Sequence, residues 1–76
     1  MKSPAVLQHV SQNVRHYRNL KGLSQQQLAD LAGLSRRMVA GVESGQDNIS
    51  LAKLSLIADV LEVDFVQIIA APEQQG

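Results

Sequence analysis

The chain has 76 residues, 45% of them hydrophobic, with one tyrosine, one phenylalanine and neither tryptophan nor cysteine. This is enough for one small core without staples, and the missing cysteines exclude disulfides and thiolate metal sites, which suits a reducing cytoplasm. Seven basic residues balance seven acidic ones; no apolar run approaches the roughly 18 residues of a membrane span, no signal peptide is read at the start, and so few aromatic rings exclude a platform for stacking single-stranded bases.

Ser3-Pro4 offers an N-cap with proline in the first turn. Leu7, Val10, Val14 and Tyr17, spaced by three or four, predict an inward stripe on a first helix running from about residue 4 or 5 to 20. Gly22 ends it and Leu23 re-enters the core. Ser24 with Gln27 three residues on forms a capping box, which predicts a second helix over about 25–32 burying Leu28, Ala29 and Ala32. Ala29 is small where crossing helices approach closely. Gly33 follows the last apolar position, where glycine takes φ > 0 without Cβ strain and so ends a helix. Leu34 turns back to the core and Ser35 caps a third helix over about 36–44, with Val39 and Val42 inward.

Residues 45–48 form a polar turn. Ser50 caps a fourth helix whose buried positions are predicted as Leu51, Leu54, Ile57, Ala58 and Leu61. Asp64 and Gln67 make a second box-like cap for a fifth helix, with Phe65, Ile68 and Ile69 inward. The tail over 72–76 is expected to fray. Strand signals and internal repeats are missing, so the class is all-α, with residues 1–76 as one domain.

The neutral total hides a strong asymmetry. Residues 1–37 hold six basic side chains against one acidic, and residues 38–76 hold one basic against six acidic. Such a distribution orients a domain on phosphate while keeping non-specific affinity low, so binding by one copy is expected to be weak and rescued by dimerisation.

Gln25, Leu28, Ala29, Ala32, Gly33, Leu34, Val39 and Val42, then Glu43, Gly45, Asn48, Ser50, Leu51, Leu54, Ile57, Ala58, Leu61 and Val63, stand in the register of a known pattern. Over roughly residues 10–69 the chain resembles the lambda-repressor and Cro family, also called the XRE family. The resemblance implies a five-helix lambda-repressor-like bundle with its helix-turn-helix at about 24–45. It further implies a sequence-specific transcriptional regulator, a repressor, which as a homodimer reads a pseudo-palindromic double-stranded DNA operator.

In that motif the N-terminal turn of helix 3 enters the major groove. Arg36 and Arg37 hold its first two positions, and arginine's planar fork donates two bonds to guanine O6 and N7. Adjacent helical side chains diverge by about 100°, so one is expected to read bases while its neighbour shares bases and phosphate. Ser35 precedes them and joins the candidate contacts. Ala40 and Gly41 follow one turn later: either they leave a smooth surface that lets the helix sit deep, with Ala40 on a thymine methyl, or they reflect close packing or plain sequence drift.

The resemblance gives Gln25 two tasks, bonding a phosphate and bracing Arg36, with Gln26 beside it and the helix start favouring anions. Asn48 and Gln46 are candidates for the DNA backbone, whereas Asp47 repels it. The resemblance also makes Arg18 and Glu43 a partly buried salt bridge between helices 1 and 3. His9 and His16 share a helical face but lack further ligands at metal spacing, so neither metal nor cofactor is expected.

Paired carboxylates and nucleophile–base sets are missing, which argues against an enzyme. The alternative is a protein-interaction module such as an antitoxin. Leu56, Val60 and Val66 are apolar at outward positions and would form a homodimer seam, a partner site or a junction with another domain. The segment over 35–54 also resembles regulators carrying a ligand-binding cupin barrel downstream, while a free-standing phage repressor or restriction-modification controller fits equally.

Overall fold

Local signals set the elements of the computed structural model, which describes residues 4–72. Within them lie α1 (Ala5–Leu20), α2 (Gln25–Ala32), α3 (Arg36–Glu43), α4 (Leu51–Leu61) and α5 (Phe65–Ile69), and no strand. The expectations for Ser3 and for residues 73–76 fall outside the described residues; α1 starts after Pro4, which supplies no side-chain cap.

Side-chain caps satisfy amide groups that each helix start leaves without an internal partner. Ser24 Oγ accepts from Gln27 N (3.0 Å) while Ser24 N donates to Gln27 Oε1 (2.8 Å). Ser35 Oγ accepts from Met38 N (3.1 Å) and Ser50 Oγ from Lys53 N (3.2 Å). Asp64 N donates to Gln67 Oε1 at 2.7 Å. At the end of α2, Gly33 takes φ 71°, and Leu34 N closes onto Ala29 O at 2.9 Å. The end of α4 closes in the same way, Val63 N donating to Ala58 O at 3.1 Å, yet the left-handed residue there is Glu62 (φ 60°).

The core joins Val10 and Val14 of α1, Leu28, Ala29 and Ala32 of α2, Val39 and Val42 of α3, Leu54, Ile57, Ala58 and Leu61 of α4, and Ile68 of α5. Tyr17, Leu23, Leu34, Phe65 and Ile69 pack around it half-buried. Helix α1 lies against both α3 and α5, and α2 against α3 and α4. Two buried polar side chains fasten this arrangement. Ser11 Oγ donates to Glu43 O (2.5 Å), and Asn13 Nδ2 donates to Ile68 O and Ala70 O (2.7 Å each). Glu43 and Ile68 lie in the last turns of their helices, where carbonyls have no intrahelical donor. Helix α1 supplies the missing ones.

Two expectations are corrected. Leu51 is 71% exposed rather than buried. It stands about 70° from the centre of the inward stripe, and in the first turn the side chain tilts past the helix start, beyond the core. Val60, expected to point outward, is half-buried and packs on the core, while Leu56 (44%) and Val66 (67%) are exposed. Among the described residues no helix is long and apolar enough to cross a membrane, and no cluster of acidic, histidine or cysteine side chains is placed to hold a metal ion.

Candidate nucleic-acid interface

Helix α3 is amphipathic in the simplest way. Val39, Val42 and Glu43 are buried, whereas Arg36, Arg37 and Ser44 are exposed and Ala40 and Gly41 half-buried. At 100° per residue, Arg37, Ala40, Gly41 and Ser44 share the outer face with Arg36 on its flank.

The far end of this helix is clamped by charge. The Glu43 side chain, 3% exposed, receives Arg18 Nε on Oε2 (2.6 Å) and Arg18 Nη2 on Oε1 (2.9 Å). Gln25 Nε2 adds a third bond to Oε1 at 3.2 Å. Arg18 Nη1 meanwhile donates to Leu23 O (2.8 Å) in the loop before α2. One carboxylate therefore ties α1, α2 and α3 together. The hydrogen bond to Glu43 raises the Arg18 pKa above the ordinary arginine value, against the opposing effect of burial and with help from the Glu43 charge. Every buried side-chain nitrogen and oxygen among the described residues has a partner, so the polar network is complete.

The candidate contacts lie at the start of α3, on α2 and in the loop after α3. Ser35, Arg36 and Arg37 open α3, all exposed. The ion pairs among the described residues are Arg18–Glu43 and Lys21–Glu62, so both arginines of α3 keep their charge for a partner. Gln26 is exposed and donates to Asp30 Oδ1 at 2.8 Å. Asn48 is exposed in the loop after α3. Gln25 requires a correction, since its Nε2 donates to Glu43 and, among the described residues, no hydrogen bond joins it to Arg36: the carboxylate is the strong acceptor within reach of the amide nitrogen.

The mid-helix glycine has a steric explanation. A β-carbon on Gly41 would stand 1.9 Å from Asp47 Oδ2, so the loop after α3 packs onto the glycine. Close packing, one of the readings of Gly41, is seen here against Asp47. The glycine was the visible signal; that Asp47 fills the space depends on the path of the loop, which no local pattern specifies.

With the geometry in place, the similarities to known proteins are informative. A helix-turn-helix family model matches residues 14–68. The control protein C.SmaI of Serratia marcescens is 42% identical over 52 residues, 68% of this chain and 62% of that protein. A hypothetical transcription factor of Neisseria meningitidis is 36% identical over 63 residues, 83% of this chain and 59% of that protein. The chain thus spans less than two thirds of the length of these curated relatives. The crystal structure of the restriction-modification controller protein C.AhdI from Aeromonas hydrophila matches with a TM-score of 0.80 and 42% identity, over 86% of this chain and 98% of that one. These relatives are control proteins and transcription factors by name, not enzymes. By the length of the matched segment and the agreement in fold, the chain belongs to the XRE-type helix-turn-helix family.

Proposed function

We propose that the chain is a sequence-specific double-stranded DNA-binding regulator of transcription, a cytoplasmic repressor that places the first turn of α3 in the major groove. The observation that carries this reading is the pair Arg36 and Arg37, exposed and outside the ion pairs among the described residues, on the first turn of a helix whose opposite end is clamped by Arg18 and Gln25. A guanidinium fork held this way meets guanine O6 and N7 without first breaking a bond to its own protein.

The contacts around it divide by chemistry. Gln25 gives one amide hydrogen to Glu43 and keeps the second for a phosphate oxygen. The backbone N–H groups opening α2, at Gln25 and Gln26, favour the same anion. Ser35 Oγ accepts from Met38 N and retains its own proton to donate. Ala40 lies where a thymine methyl fits, and Asn48 reaches the backbone of the neighbouring groove wall. Leu56 and Val66, exposed on α4 and α5, supply the seam of a homodimer. Two copies of α3 about 34 Å apart then read a pseudo-palindrome. The similarity to named control proteins supports a regulatory role of this kind.

Selection of binding sites from random duplex DNA, followed by salt titration, tests the reading. Arg36→Ala or Arg37→Ala weakens binding to the selected site by about 1–3 kcal/mol and relaxes base preference at one position per half-site. Gln25→Ala weakens binding to every sequence alike. Equal weakening of selected and random DNA by both arginine variants would refute base reading, and a reporter that rises with the protein would refute repression.

A further inference from the structure

Gly41 stands on the outer face of α3, one turn beyond Arg37, and the Asp47 carboxylate occupies the place of its absent side chain: an added β-carbon would lie 1.9 Å from Asp47 Oδ2 and 2.4 Å from its Cγ. The loop is held there by its backbone. Gln46 N and Asp47 N both donate to Gly41 O, at 3.2 and 3.3 Å, and Ser44 Oγ donates to the same oxygen at 2.9 Å. Asp47 is exposed, and neither ion pair among the described residues includes it. The outer face of α3 has thus lost a side chain at position 41 and regained one, negatively charged, from six residues further on.

A carboxylate on a DNA-facing surface is repelled by phosphate and by every acceptor on a base edge. In the major groove it is favoured against an exocyclic amino group, and the N4 amino group of cytosine is the donor that a carboxylate matches. Guanine presents O6 and N7 acceptors there, and thymine presents O4. Resting on the DNA-reading function above, we propose that Asp47, seated on Gly41, is a specificity-determining residue that selects a cytosine beside the bases read by the arginines. Gly41 makes room for it, and the two backbone bonds from Gln46 and Asp47 to Gly41 O fix the loop over the helix.

The test is binding-site selection from random duplex DNA with the full chain and four variants, each checked for an unchanged thermal melt. The unmodified protein prefers cytosine about tenfold at one position per half-site, within the range of a base-edge contact. Asp47→Ala removes that preference and leaves the arginine-read positions intact. Asp47→Asn moves it towards adenine, whose N6 and N7 suit an amide. Gly41→Ala displaces the carboxylate and relaxes the same position, and adding it to Asp47→Ala changes nothing further. An unchanged selected site for Asp47→Ala, with tighter binding to all DNA, would overturn the proposal and make the carboxylate only a brake on phosphate affinity. An unchanged site for Gly41→Ala would overturn the seating. Failure of the unmodified protein to select any duplex would instead remove the DNA-reading function itself, an outcome separate from a site that depends on arginine but not on Asp47.

Discussion

Replacing Glu43 by alanine tests the clamp on which the geometry of α3 depends. The substitution removes the acceptor for two Arg18 bonds and one Gln25 bond, and leaves Arg18, whose side chain is 15% exposed, with Leu23 O as its remaining partner. Breaking a buried pair from one side costs about 3–5 kcal/mol, because a charge is stranded. Residual exposure of Arg18 lets water reach it, which favours the lower end, about 3 kcal/mol. At ~0.05–0.15 kcal/mol per residue, a chain this long has only about 4–11 kcal/mol to lose. Each kcal/mol moves the midpoint by roughly 4–8 °C in a domain of this size, so Tm falls by about 12–24 °C. Thermal melts followed by far-ultraviolet circular dichroism measure this directly. The double replacement Arg18→Met with Glu43→Leu, which leaves no charge stranded, recovers most of the loss. A Glu43→Ala midpoint within the shift of an ordinary surface pair, less than about 1 kcal/mol, would refute the reasoning. So would a double variant as unstable as the single one.

Asn13→Ala leaves two carbonyls at the end of α5 without their donor, at a cost of about 2–3 kcal/mol; hydrogen exchange checks it, with α5 losing protection before α1. Ser24→Ala removes one half of the α2 capping box and costs about 1 kcal/mol in a urea titration. The Lys21 hydrogen bond, and then its charge, hold the Glu62 pKa below the usual glutamate value. A depressed carboxyl pKa contributes stability above the unfolded value, and that contribution is lost as pH falls through the folded one. The Tm difference between the unmodified protein and Glu62→Gln is therefore present at neutral pH and vanishes on acidification across that window; a difference independent of pH counts against it. The raised Arg18 pKa works in the opposite sense, its stabilisation being lost only above the ordinary arginine range, so melts across the neutral range do not register it.

Local chemistry made the helices legible. Ser24 and Gln27 cap α2 from three residues apart, Gly33 ends it, and apolar spacing places Leu28, Val39, Ile57 and Ile68 in the core. Each of those signals needs only neighbours in sequence. What depended on distant partners was not legible. Asn13 reads as an ordinary polar residue on a helix, yet it is buried because a carbonyl 55 residues away needs a donor. Glu62 sits where glycine would be expected, and nothing nearby announces its left-handed backbone. Leu51 has the right residue type at the edge of the right stripe, but the core ends before reaching it. Gln25 stands at the expected turn but bonds Glu43 rather than Arg36, because that choice depends on where Arg18 puts the carboxylate.

That contrast bears on how the protein divides its charges. The charged groups that hold α3, Arg18 and Glu43, are shielded from solvent and satisfied by each other, by Gln25 and by a backbone carbonyl. Those proposed to read DNA, Arg36, Arg37 and Asp47, are exposed and outside every ion pair among the described residues. The separation follows from electrostatics. A buried charge must be paired to be tolerated, and once paired it has little left for a ligand. An exposed charge adds little to stability and keeps its bonding capacity. Because the frame meets α3 at buried Glu43 while Arg36 and Arg37 stand exposed on the same eight-residue helix, the outer face of α3 can vary without loosening the frame that aims it.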